Sequence, residues 1–326
     1  MRRIYALPLA LGVSPGLAGA QDFPQSFAHL YGETILEAQP ERVVSLGYVG
    51  HDHLLALGMV PVGLRYWYGP YASGVWPWAS PLLGEARPVV LRGEISFERI
   101  ALLEPDLILA VSSGIGAQDY RMLSRIAPVV ASEAAYGDYN TPWEVQLATI
   151  GRAVGREAKA RGLIEEIHAQ MREIRAAHPE WADMTAVAAS VFGGEPAVFL
   201  PGDARADLLT SLGFQTPPAL EAHRGEGFFL PLSAEDLAPL DADVLLWVGG
   251  TPGGEALAAL KLRPGMRAAR EGREIWADEI MAGALGHATP LSLPFVLERL
   301  PAEIEAAADG DPATKVPSAV AAGIAP

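Results

Sequence analysis

Apolar and polar positions come in short alternating blocks along this chain. Residues 42–46 read as a strand that Gly47 ends, and residues 54–57 as the end of a helix that Gly58 closes. Residues 60–64 form the next strand, 96–103 a turn or two of helix, and 106–111 a buried apolar strand. Strands alternating with helices predict a parallel sheet covered by helices. Residues 21–40 show little periodicity and read as a lead-in. Residues 65–81 are dense in Tyr, Trp, Gly and Pro and read as a binding loop.

Thr141-Pro142-Trp143-Glu144 is a helix start, with Thr as N-cap, Pro at the first helical position and Glu at the third. That helix runs to about Ala153 and breaks near Gly155. A second helix follows over 157–177. Its apolar stripe is Ala160, Ile164, Ile167, Met171 and Ile174, until His178-Pro179 stops it. It is roughly 31 Å long. The alternation then resumes, with strands at 185–192, 197–200, 243–248 and 274–277 and helices at 204–212 and 291–307. Residues 309–326 are rich in Ala, Pro and Gly and read as a disordered tail.

Two segments match at an offset of 137 residues. Ser96, Glu98, Ala101, Asp106 and Leu109 correspond to Ser233, Glu235, Ala238, Asp243 and Leu246. The two halves therefore read as similar α/β lobes flanking the long helix. Ser as helix N-cap and Asp at the turn into a strand account for two of these positions. A Glu on both lobes is not required by capping.

Composition narrows the function. The chain has 326 residues, no cysteine and a formal charge of −15. Missing cysteines exclude disulfides, thiolate metal sites and a lipidated cysteine. Excess negative charge opposes nucleic-acid binding. Arg2-Arg3, a short apolar run and Ala18-Gly19-Ala20 have the parts of a secretory signal over residues 1–20, cleaved after Ala20. The expected location is the periplasm, free of a lipid anchor. His51-Asp52-His53 places its histidines about 200° apart on a helix, so they do not converge on a metal. A secreted α/β enzyme acting through Glu98 or Asp203 is a rival reading. Against it, the chain lacks a Gly-x-Ser-x-Gly elbow, a Gly-x-Gly-x-x-Gly turn after the first strand and a Walker loop.

The 96–109 pattern, Leu-Leu-Ala-Leu-Gly-Met-Val-Pro-Val-Gly at 54–63, Thr141-Pro142-Trp143, Ser124-Arg125-Ile126-Ala127-Pro128 and Ala288-Thr289-Pro290-Leu291-Ser292-Leu293-Pro294 occur in order along residues 40–305. In this they resemble periplasmic substrate-binding proteins of ABC importers, and within these the iron–siderophore binders. Vitamin B12 and haem binders belong to the same helix-linked class and are the alternative cargoes. The resemblance implies two Rossmann-like α/β lobes with parallel sheets, 21–153 and 179–308, joined by one long α-helix within 154–178. It implies a monomer with no resident cofactor or metal, a ferric siderophore held between the lobes, and a permease dimer as partner. Glu98 and Glu235 would pair with permease arginines. Leu91-Arg92-Gly93-Glu94 fits an L-R-x-E pattern that makes Arg92 the foremost ligand contact. Ile115 stands where hydroxamate binders can carry a Tyr. Arg65, Tyr66, Trp67, Tyr68 and Trp76, with Trp78, are the expected N-lobe walls. Arg205 and Phe228, with Phe192, are the C-lobe candidates, and Trp247 is expected in the core.

Overall fold

The computed structural model describes residues 22–249 and 253–326. The export signal expected at 1–20 lies outside the described residues. Strands β1 (Gln25–His29) and β2 (Gly32–Leu36) form an antiparallel hairpin where a lead-in was expected. Phe27, His29, Thr34 and Leu36 point inward with period two. Two of these four are polar, which hides the alternation in sequence. Thr34 Oγ1 donates to the Val129 carbonyl at 2.7 Å, tying the hairpin to the first lobe.

The N-terminal lobe contains β3 (Val43–Ser45), α1 (Gly50–Leu57), β4 (Gly63–Arg65), β5 (Val89–Leu91), α2 (Phe97–Ala101), β6 (Leu107–Ala110), α3 (Ala117–Leu123), β7 (Val129–Ala131) and α4 (Trp143–Ala153). Its sheet is wholly parallel in the order β5-β4-β3-β6-β7. The strand order reverses between β3 and β6. Ligand crevices in open α/β sheets form beyond the strand ends at such a switch point. There Gly47 leaves no room for a Cβ, because the Val111 carbonyl occupies that space.

Helix α5 (Glu157–Ala177) links the lobes, and its apolar stripe is divided between their cores. Ala160 packs in the first lobe's core, Ile167 and Met171 in the second's. One stiff element thus belongs to both lobes.

The second lobe contains β8 (Ala186–Phe192), β9 (Glu195–Phe199), α6 (Ala204–Ser211), α7 (Pro218–Glu221), β10 (Phe229–Pro231), β11 (Val244–Val248), α8 (Gly253–Ala258), α9 (Arg267–Arg270), β12 (Glu274–Ala277), α10 (Glu279–His287), α11 (Ser292–Ala308) and α12 (Pro317–Ala321). Its sheet order is β10-β9-β8-β11-β12. Parallel pairing joins β8, β11 and β12, and β9 alone runs against the other four strands, so this sheet is parallel-rich with one reversed strand. Gly193 and Gly194, at φ 61° and 94°, make a two-residue hairpin loop. Such a loop forces β8 and β9 antiparallel, since a parallel return needs a dozen residues or more.

The repeat is real in its aspartates and partial in its helices. Asp106 accepts from the Glu41 and Arg42 amides, both at 2.8 Å, at the entry to β3. Asp243 accepts from the Thr185 amide at 2.8 Å, just before β8. Ser96 caps α2, accepting from the Arg99 amide at 3.3 Å. Ser233 caps no α-helix: residues 234–235 form a turn, followed by a 3-10 turn at Ala238–Leu240. Pro239, at the position of Leu102, lacks the N–H that continued α-helix needs.

Residues 309–326 are also not a loose tail. Val316, Ala319 and Ile324 are buried in the second lobe's core. Ser318 Oγ accepts from the Trp276 amide at 3.1 Å, so α12 covers the outer edge of β12. Trp247 is fully buried, as expected of a central strand.

Candidate functional site

A cleft of about 750 Å³ opens between the lobes. The N-lobe side is built at the switch point. Tyr48 and Val49 follow β3, and Ser112 follows β6. Trp67 follows β4, and residues 139–146 bring Tyr139, Thr141, Trp143 and Gln146 from the start of α4. The opposite wall carries Phe192 and Phe199 from the ends of β8 and β9, Asp203, Arg205 and Asp207 around the start of α6, and Phe228-Phe229 at β10.

Aromatic rings dominate the opening. Tyr48 lies 5.6 Å from Trp67 and 6.4 Å from Tyr139 by ring centroids. Tyr139 meets Phe228 edge-on at 6.3 Å across the cleft, and Phe192 packs on Phe229 at 5.7 Å. Trp67, Tyr139, Phe192, Phe228 and Phe229 are 39–54% exposed. Five large rings gathered on one concave surface mark a place where a ligand removes apolar area from water.

Polar groups are set among the rings. Asp203 caps α6 and holds Arg205, whose Nε and Nη2 donate to its carboxylate at 2.7 and 2.6 Å. The guanidinium lies over the Phe199 ring at 3.7 Å. Arg65 stands behind Tyr48, 4.7 Å from its ring, and donates to the Ser113 carbonyl at 2.6 Å. Burial raises the Asp207 carboxyl above its ordinary pKa, and neighbouring Asp203 and Glu144 add to that. Burial likewise raises the Tyr139 phenol, with Tyr48 and Asp138 contributing.

Behind the cleft the lobes are pinned together. Asp52, fully buried on α1, accepts from Trp78 Nε1 at 2.7 Å and from Thr289 Oγ1 of the opposite lobe at 2.8 Å. Trp76 is 2% exposed and stacks on Trp78 at 5.0 Å. Tyr68 packs edge-on against Trp76, and its hydroxyl lies 3.4 Å from His287 Nδ1. Burial pushes the Tyr68 phenol up to about 12. Among the described residues, no three His, Asp or Glu side chains converge as a metal site.

The structure therefore brings Trp67, Arg205, Phe228 and Phe192 together at the cleft and sends the other candidates elsewhere. Tyr68 and Trp76 face the opposite lobe as packing rather than as ligand wall. Arg65 supports Tyr48 from behind. Tyr66 carries Arg92, whose guanidinium lies 3.7 Å above its ring. Arg92 also donates to the Tyr71 and Ala72 carbonyls at 3.4 and 3.2 Å, on an exposed surface away from the cleft lining. Ile115 is buried in the N-lobe core. Arg92→Ala is accordingly expected to leave ligand affinity within about twofold, as surface substitutions do. Calorimetric titration checks this, and a tenfold loss would return Arg92 to the site.

Tyr48, Tyr139, Phe199 and Phe229 also line the cleft, and no motif singles them out. Tyr48 had a signal, since it directly follows the glycine that ends the first parallel strand. Tyr139 sits in a Gly- and Tyr-rich stretch, Tyr136-Gly137-Asp138-Tyr139, typical of a binding loop.

Residues 43–279 match the family described as periplasmic binding protein, and the chain belongs to that family. Over 220 residues it is 27% identical to a probable siderophore-binding lipoprotein, YfiY, of Bacillus subtilis, covering 65% of this chain and 64% of that protein. The chain thus spans just under two thirds of that relative. A periplasmic solute-binding protein from Mycobacterium smegmatis superposes with a TM-score of 0.78 at 34% identity, over 86% of this chain and 97% of the other. PiaA of Streptococcus pneumoniae, solved in complex with ferrichrome, superposes with a TM-score of 0.73 at 28% identity, over 88% and 99%. These relatives and neighbours are binding proteins, in keeping with the family to which the chain belongs. No helix among the described residues is long and apolar enough to cross a membrane.

Proposed function

We propose that this periplasmic binding protein captures a ferric siderophore between its lobes and delivers it to an ABC importer. The observation that carries this reading is the interlobe cleft walled by exposed aromatic rings. An iron ion already saturated by six chelate oxygens needs walls and hydrogen bonds from its carrier, and no further ligand to the metal. The names borne by YfiY and by the ferrichrome complex of PiaA support the same cargo. The protein acts as a monomer in the periplasm after export.

A strain lacking this protein should fail to grow when a ferric siderophore is its sole iron source, and the restored protein should rescue it. Undiminished growth on every siderophore, with loss of growth on haem or cobalamin, would contradict the reading.

Delivery rests on Glu98 and Glu235. Both are exposed, one on each lobe, and neither carboxylate has an ion pair among the described residues. Two carboxylates on separate lobes suit a pair of permease arginines, one from each half of a dimer. Glu98→Ala with Glu235→Ala should leave ligand affinity unchanged and abolish uptake, measured by ligand titration beside transport of iron-labelled siderophore. Normal transport by the double variant would remove them from the docking surface.

A further inference from the structure

The charge balance of the cleft points to one class of ferric chelate. Among the described lining residues the charged side chains are Glu144, Asp203, Asp207, Arg205 and Arg224, three acids to two bases, with the His168 ring 3.0 Å from the Glu144 carboxylate. Neither arginine is available to an anion at no cost. Arg205 gives both Nε and Nη2 to Asp203, which is only 5% exposed, so drawing the guanidinium away would strand a buried carboxylate. Arg224 is engaged by both oxygens of Glu221, at 2.6 and 2.9 Å. Arg65 is turned to the Ser113 carbonyl behind Tyr48.

Independent of charge, three neutral groups in the lining await partners. The Ser112 and Thr141 hydroxyls and the Gln146 Oε1 belong to residues at least nine-tenths buried, and none has a hydrogen-bond partner among the described residues. Gln146 Nε2 is already committed to the Thr141 carbonyl at 2.9 Å, leaving its oxygen in need of a donor. Each of these atoms is itself covered by protein, so a ligand reaches it only as the cleft wall shifts around the bound molecule; an amide N–H then suits Oε1, whereas an anionic oxygen would be repelled by it. The ring faces of Tyr48, Trp67 and Tyr139 carry partial negative charge, which favours a cationic tail over a negative one.

We infer that the cleft selects ferric chelates of zero or positive net charge, the class of ferric trihydroxamates, and rejects polyanionic ones such as tris-catecholates. Three hydroxamates, each with one negative charge, neutralise Fe(III), and a pendant ammonium makes the complex cationic. Three catecholates, each with two, leave a trianion. This selection rests on the cargo being a ferric siderophore.

The test is calorimetric titration of the mature chain with ferrioxamine B (cationic), ferrichrome (neutral) and ferric enterobactin (trianionic). The first two should bind about 100-fold tighter or more than the trianion, since like charge is excluded from a matched site. A trianion that binds as tightly as the others overturns the charge selection and leaves the siderophore reading standing. Binding of none of them, with saturable haem or cobalamin binding, overturns both. Asp203→Asn keeps a good N-cap for α6 while releasing Arg205. It should raise affinity for the trianion about tenfold, and so should Asp207→Asn. No rise in either variant overturns the inference.

Discussion

Replacing Glu274 by alanine is expected to destabilise the C-terminal lobe by about 3–5 kcal/mol, the loss typical when one partner of a buried ion pair is removed. Glu274 opens β12 and is 2% exposed. Its carboxylate accepts from Trp247 Nε1 at 2.8 Å and from Arg263 Nε and Nη2 at 2.9 and 2.5 Å. Arg263 Nη2 also donates to the Ile324 carbonyl at 2.6 Å, so the same guanidinium holds the C-terminal segment. Without Glu274 the indole N–H is left in the core with no acceptor, and the guanidinium keeps only the Ile324 carbonyl. Denaturant midpoints compared with those of Glu274→Gln, which retains one acceptor, provide the measurement. The glutamine variant should lose less, and an alanine variant within about 1 kcal/mol of the parent would contradict the account.

Acidification should have a comparable effect. Burial lowers the His53 and His287 pKa values to about 4, with Asp52 opposing the shift in both. His51 is lowered in the same way. The unfolded chain binds protons at these rings below about pH 6.5, and the folded chain refuses them until about pH 4. Stability is therefore complete above about pH 6.5 and falls as pH drops towards 4. Each ring contributes about 1.4 kcal/mol per pH unit, so His53 and His287 together account for roughly 4–6 kcal/mol between pH 7.5 and 4.5. Denaturant midpoints across that range give the slope, and His53→Leu should remove about half of the part that His53 and His287 supply. A flat profile down to pH 5 would contradict these burials. His287 lines the cleft and touches Tyr68, Trp67 and Trp76. Its protonation therefore loosens the packing that joins the lobes as well as the lobes themselves.

Local chemistry made much of this fold readable. The 3.6-residue stripe of α5, the Ser96 cap and the aspartates at 106 and 243 act through neighbours a few residues away or at one strand entry, and pattern reveals them. The segments that local pattern does not reveal depend on distant partners. Val316, Ala319 and Ile324 gain their burial from β12 and α11, while their own neighbourhood is Ala- and Pro-rich and carries no period. The Gly193-Gly194 turn differs from an ordinary glycine-rich loop only in that both residues take positive φ. At the site, the loop at 65–81 was identified as a unit, but its rings divide by which lobe they meet. Trp67 faces the cleft, whereas Trp76 packs where Gly283 of α10 has no side chain to displace it. Arg92 has the spacing of a ligand contact, yet Tyr66 beside it offers a ring face that holds the guanidinium on the surface. Such choices are settled by tertiary neighbours, which no local motif records.

The central claim is that a ferric siderophore fills the aromatic cleft between the lobes. Trp67 and Trp143 line that cleft, so the most direct measurement is tryptophan emission of the mature protein during titration with ferric trihydroxamates, alongside Trp67→Phe. The account predicts saturable quenching with a Kd of about 1 μM or tighter, diminished in amplitude in the Trp67→Phe variant. Absence of saturable quenching with any ferric siderophore, together with saturable quenching by haem or cobalamin, would contradict it.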